Sequence, residues 1–277
     1  MTEKIFQKPY YSQLDEDLPV SEDGCIDDIR EVDIRTQYLV KNPADKDGFL
    51  NMKSYTPARI GVGRCGARYR TETMLRFRAD HSAAQDAVWS YVSDEFLKKT
   101  GMFCVDTLCE DKEDYLTNPD KGRIISKEGV RTITEKCRKN PTVQIFVADG
   151  LSSAAIEANA YDTMRAVMQG LNAYDIDYGT PFFVRHSRVA TEDQVCELLN
   201  AKVVCQLIGE RPGLCSAESM SAYIAYDAKV GMLETRRTVV SNIHKNGTIP
   251  VEAGAHIADI IKVMLEKKAS GTDLEAV

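Results

Sequence analysis

No apolar run in this 277-residue sequence approaches the about 18 residues that mark a membrane-crossing helix. The opening, MTEKIFQKPYYSQ, lacks the charged-then-apolar order of a secretory leader, which predicts a cytosolic protein. Histidine is scarce, at four residues, and the eight cysteines include no C-x-x-C pair. Without close thiols or histidines at zinc-finger spacing, a structural metal site has little support. The cysteines, at 25, 65, 104, 109, 137, 196, 205 and 215, are therefore expected as reduced thiols packed like small apolar side chains. Excess positive charge is missing too: 35 Lys and Arg against 42 Asp and Glu leave −7 at pH 7. That balance argues against nucleic acid or an anionic membrane as the main partner.

What is present is a soluble composition, 43% hydrophobic and 28% charged, on a chain long enough for one large domain or two modest ones. Residues 1–54 read as an acidic, irregular arm, with DEDLPVSEDG followed by a weakly amphipathic patch around Ile26, Ile29 and Val32 to Ile34. Residues 55–122 read as a small helical domain. Its apolar residues Leu75, Ala79, Ala83, Ala87, Val92 and Phe96 recur at helical spacing from Thr71 to Lys99, which predicts one long helix or two joined ones.

Residues 123–277 alternate short apolar strands with amphipathic helices. A helix over 127–138 leads to strand TVQIFVA, a helix from Ser153 to Leu171, strand TPFFVR, and a helix opened by Thr191 with Gln194 as a capping box. Strands KVVCQLI, SAYIAYD and RRTVVSNI follow, then a closing helix after Pro250. The fold class expected is α/β, a Rossmann-like domain with a mostly parallel sheet behind the helical domain and the arm.

GVGRCG, residues 61–66, fits the G-x-G-x-x-G spacing of dinucleotide-binding turns, but its context does not. Only ARI separates Pro57 from Gly61, too little for a central strand, and no second strand ending in an acidic residue follows. Nucleotide binding at this motif is accordingly not expected. The stretch is instead arginine-rich, with Arg59, Arg64, Arg68, Arg70, Arg76 and Arg78, and reads as a solvated face or as a docking surface for a partner's carboxylates.

In the α/β half, ligands bind outside the carboxyl ends of parallel strands. Four loops lie there: DGLSSAA, HSRVATED, GERPGLCSAESMS and HKNGTIPVEAG. Each has a local explanation, with Ser153 as a cap, Arg188 as solvated, Gly209 and Gly213 as turn residues and His244 as a satisfied loop histidine. Together they outline a broad polar rim suited to a large ligand with many amides or hydroxyls.

The segments TPARIGVGRCGARYRTETMLRFRADHSAAQDAVW, ADGLSSAAIEAN, RHSRVATEDQ, LIGERPGL and TVVSNIHKNGTIPVEAGAHIADIIKVMLEKKASG resemble the small subunits of the ethanolamine ammonia-lyase family, from about Thr56 to Gly271. The resemblance implies adenosylcobalamin as cofactor and the conversion of ethanolamine to acetaldehyde and ammonia by radical chemistry. It implies a large-subunit partner that carries substrate catalysis, six large with six small chains, and a cytoplasmic location within a bacterial microcompartment. It places cofactor contacts at Val189, Glu210 and Val239, with no catalytic residue in this chain. Glu210 would accept hydrogen bonds from corrin amides or a ribose hydroxyl, unless it pairs with Arg211 or Arg188.

NIHKNG also nearly matches the D-x-H-x-x-G signature of histidine-ligated cobalamin, but Asn242 stands at the aspartate position. Without that carboxylate His244 is a poor ligand, and no metal-binding residue is expected. An autonomous nucleotide-dependent oxidoreductase, and a cobalamin-binding or scaffold protein without an enzymatic partner, are the alternative readings.

Overall fold

The computed structural model describes residues 28–275, so the DEDLPVSEDG stretch and Ile26 lie outside the described residues. The chain divides into two units, Met1–Ala83 and Ala84–Val277.

In the first unit a 3-10 turn, Ile29–Glu31, precedes helix α1, Lys46–Ser54. The expectation of an irregular arm to residue 54 is corrected here. Asp45 caps α1 by accepting from the Gly48 amide at 2.9 Å, and Phe49 packs edge-on against Tyr38. GVGRCG forms a turn entering a two-strand hairpin, β1 (Arg64–Cys65) with β2 (Arg68–Tyr69), rather than a strand, a turn and a helix. Gly61 and Gly63 have φ of +64° and +68°, and a Cβ at Gly63 would lie 2.5 Å from the Leu39 carbonyl oxygen. The arginines split into two groups, with Arg70, which donates to the Leu39 carbonyl at 3.1 Å, on the engaged side. Arg59 and Arg76 both pair with Asp80, and Arg76 also donates to the carbonyls of Ile29, Arg30 and Val32, whereas Arg64, Arg68 and Arg78 are exposed.

The unit boundary falls within helix α2, Thr71–Trp89. The second unit continues with α3 (Asp94–Thr100), so the helical stretch from 71 to 99 is two helices. The break follows Trp89, and Ser93 starts α3 afresh by capping the Phe96 amide. Then come β3 (Cys104–Asp106), α4 (Lys112–Thr117), α5 (Lys127–Lys136), β4 (Val143–Ala148), α6 (Ser153–Ala173), β5 (Phe183–Arg185), α7 (Thr191–Leu199) and β6 (Val203–Gly209). Strands β7 (Met220–Tyr226) and β8 (Thr238–Ile243) follow, then α8 (Pro250–Lys267) and α9 (Thr272–Glu275).

The six strands form one mixed sheet in the order β3-β5-β4-β6-β7-β8, and the α/β class with a mostly parallel sheet holds. The first four strands are parallel because helices carry the chain back between them. No α-helix separates β6, β7 and β8, and these pair antiparallel. One face of the sheet packs on α6 and α8 through Ile145, Val147, Leu207, Ile156 and Ile257. The other packs on α5 and α7 through Phe146, Val184, Val204, Ile133 and Val195. Thus β4 feeds a helix on one face and β5 feeds a helix on the other, and their loops diverge above the carboxyl ends.

Two details of capping differ from expectation. Helix α7 has Ala190 at its cap without a side-chain acceptor. Thr191 Oγ1 instead donates to the Arg188 carbonyl at 3.0 Å, and Gln194 Oε1 accepts from the Ile125 amide. Helix α6 is capped by Ser152, while Ser153 donates to the Ser90 carbonyl.

Candidate functional site

The loops after β4, β5 and β6 meet at the carboxyl edge of the sheet. A Cβ on Gly150, at φ +56°, would stand 2.2 Å from the Gly209 carbonyl oxygen, and the Leu151 amide donates to that oxygen at 3.0 Å. Two glycines therefore let the β4 and β6 loops touch.

Asp149, at the end of β4, accepts from the amides of His186 (2.9 Å) and Ser187 (3.1 Å). These bonds hold His186 in a left-handed conformation, φ +56°. Lys112, 2% exposed, sits 3.8 Å from the Asp149 carboxylate and over the rings of Tyr91 and Tyr115. Burial pushes the Lys112 amine and the His186 ring below their ordinary values, with Asp149 opposing both shifts. Arg188 is not a solvated loop arginine: it lies 4.1 Å from the Tyr115 ring centroid and donates to the Tyr115 carbonyl.

The expected cofactor residues lie on the α5/α7 side of the sheet. Phe146, Gln206, Tyr223 and Val239 stand opposite one another on β4, β6, β7 and β8, so their side chains share a face. Val239 is 43% exposed, Tyr223 half-buried and Ser241 exposed, which leaves this part of the face open among the described residues. Val189 follows β5 and packs, half-buried, against the core of the same side. Its neighbour Arg188 accepts at the carbonyl from Gln206 Nε2 at 3.4 Å. Two strand spacings of about 4.8 Å then separate the Gln206 and Val239 positions.

Glu210 extends β6 at the upper corner of this face. Its Oε1 accepts from Ser221 Oγ (2.5 Å) and the Asn242 amide (3.0 Å), and its Oε2 from Ser219 Oγ (2.8 Å). Burial would raise its pKa, but these donors and the nearby His244 hold the carboxyl below its ordinary value. No ion pair to Arg188 or Arg211 forms among the described residues; the serines take that place. Three of about four lone-pair positions are filled, so one acceptor direction remains, on Oε2.

His244 has both ring nitrogens engaged. Nε2 faces Asn242 Oδ1 at 2.8 Å and Nδ1 accepts from the Asn246 amide at 3.3 Å. Gly213 closes a turn with Ser216. A surface cavity of about 380 Å³, lined by Asp227, Lys229, Arg236, Lys268 and Asp273 among others, lies at the opposite end of β7 and includes none of these residues.

The sequence reading missed the buried ion cluster beside this face. Arg237, its side chain 1% exposed, places Nε 2.5 Å from Glu192 Oε1, Nη2 2.8 Å from Asp193 Oδ1 and Nη1 3.2 Å from Glu234 Oε2. Burial raises Glu192 to about 8 and Asp193 to about 6, against the pull of Arg237. The only signal for this cluster was a paired acid, TED, and a paired base, RRT, some 44 positions apart in the sequence.

The family described as ethanolamine ammonia-lyase light chain (EutC) matches residues 46–275 of this chain. The chain belongs to the ethanolamine ammonia-lyase light chain family. Among its relatives, the ethanolamine ammonia-lyase small subunit of Clostridioides difficile is 60% identical over 259 residues, 94% of this chain and 88% of that protein. The protein of the same name from Clostridium perfringens is 59% identical over 256 residues, 92% and 87% of the two chains. That from Listeria monocytogenes is 56% identical over 253 residues, 91% and 86%. This family thus spans both α1 and the whole six-stranded sheet. No helix of the described residues is long and apolar enough to cross a membrane.

Proposed function

We propose that this chain is the small subunit of ethanolamine ammonia-lyase and that it holds adenosylcobalamin on the open face of β7 and β8. A large subunit carries the conversion of ethanolamine to acetaldehyde and ammonia, in an assembly of six large and six small chains. The observation that carries the reading is the placement of Val189, Glu210 and Val239 on one side of the sheet, around an open row.

The residues present suit a broad ligand fringed with carboxamides. Glu210 is ionised, rigidly held by three donors, and keeps one acceptor direction for a ligand N–H. Val239 offers an apolar contact that needs no desolvation of charge. Val189 borders the face from the β5 loop. When bound, the cofactor supplies a radical by homolysis of its cobalt–carbon bond. This chain's part is to bind and orient, and none of these three residues is assigned a bond-making step.

The exposed hairpin residues Arg64 and Arg68 are read as part of the surface that meets the large subunit. Charge reversal at either is expected to weaken assembly more than folding. Delivery to a bacterial microcompartment is the final part of the reading; a fusion of residues 1–40 to a fluorescent protein that stays diffuse in shell-forming cells would count against it. The function itself is tested by reconstitution. Turnover of ethanolamine is expected only when this chain, the large subunit and adenosylcobalamin are combined. Turnover by this chain alone, or failure to co-purify with the large subunit, would overturn the reading.

A further inference from the structure

We infer that Arg237 is a positioning residue that sets the spacing between the Val189 loop and the Val239 strand. The inference rests on the cofactor reading above. The connection is continuous. The Glu192 amide donates to the Val189 carbonyl at 3.0 Å, which fixes the first turn of α7 to that loop. Glu192 and Asp193 on this turn receive the guanidinium of Arg237, at 2.5 and 2.8 Å. Arg237 directly precedes β8, where Thr238 pairs with Ile224 and Val239 with Tyr223. A second tie anchors the same stretch, because Gly271 donates to Thr238 Oγ1 at 2.8 Å and Ser270 donates to the Arg236 carbonyl.

Stability alone is a poor reason for this cluster. Taking an arginine and two acidic side chains out of water carries a desolvation cost that apolar side chains of the same volume avoid. The directed bond from Arg237 Nη2 to Asp193 Oδ1, with Glu192 Oε1 in close ion-pair contact at Nε, does provide what apolar packing does not, which is a defined separation between two elements far apart in sequence. Arg237 reaches Asp193 across 44 positions of sequence and is buried while Val239, two residues on, is open. The side chain therefore touches no ligand in this arrangement and acts through the two elements it joins.

The test uses the assembled complex with the large subunit and reads kcat and the adenosylcobalamin concentration for half-maximal turnover. Arg237→Met and Asp193→Asn are expected to raise that concentration about tenfold or more, while kcat at saturation stays within about twofold. Arg237→Lys is expected to recover part of the loss, since a cation remains but the two-pronged contact does not. Unchanged half-saturation in both Arg237→Met and Asp193→Asn complexes overturns the inference, as does a loss confined to kcat. If neither variant enters the complex the inference also falls, because the cluster is then a folding element. Val239→Trp separates the two readings. If it leaves half-saturation unchanged, the cofactor reading itself fails. If it raises half-saturation while Arg237→Met and Asp193→Asn do not, only the positioning role fails.

Discussion

The two halves of the sheet are built differently. Every residue of β4 and β6 is buried, with helices against both faces, whereas β8 runs through half-buried and exposed positions to a single buried residue, Ile243, and leaves Val239 open. In the closed half, side chains are selected for size and apolarity. In the open half they are selected for satisfied polar contacts, as at Glu210 with its three donors. The closed half makes the fold, and the open half carries the proposed site.

The largest effect that separates the halves is on stability. Phe146 stacks on Phe182 with ring centroids 5.4 Å apart and is wholly buried, so Phe146→Ala is expected to cost about 3–5 kcal/mol in urea unfolding. Val239→Ala, in the same row, is expected within about 0.5 kcal/mol. Equal losses would erase the comparison. Next is the junction of the loops. Gly150→Ala meets a left-handed φ and the Gly209 carbonyl together, and is expected to lose about 1–3 kcal/mol by the same measurement.

Another effect concerns pH at the boundary between the halves. Glu192 has a folded pKa of about 8 against an ordinary 4.5, so the folded state holds an extra proton between those values. Its contribution is fully present below pH 4.5 and is lost as pH rises through 8. Wild-type stability should fall relative to Glu192→Gln over that window, by at most about 1.4 kcal/mol per pH unit. Parallel stability profiles for the two proteins would place Glu192 as ionised throughout.

The closed half was legible from sequence because burial on both faces writes continuous apolar runs, such as QIFVA and VVCQLI, between helical periods. Strand β3 was not, since three residues, CVD, carry no periodicity and take their place from pairing with β5. Helix α1 was missed for a related reason: KDGFLNMKS has little apolar periodicity, and its cap and the packing of Phe49 define it. At the site, the resemblance supplied Val189, Glu210 and Val239, and strand-end reasoning found the loops that hold the first two. The serines that hold Glu210 and the acids that hold Arg237 were beyond reach. The register of β6, β7 and β8 brings the serines to Glu210, and the packing of α7 on the same face of the sheet brings its acids to Arg237.

The central claim is that the open half of the sheet receives the cofactor. Amide hydrogen exchange of the complex with the large subunit, with and without added cobalamin, tests it most directly. Protection is expected at residues 238–242 and 210–221, with no change in the already buried β4. Protection confined to other segments, or an exchange pattern in 238–242 that cobalamin leaves unaltered, would contradict it.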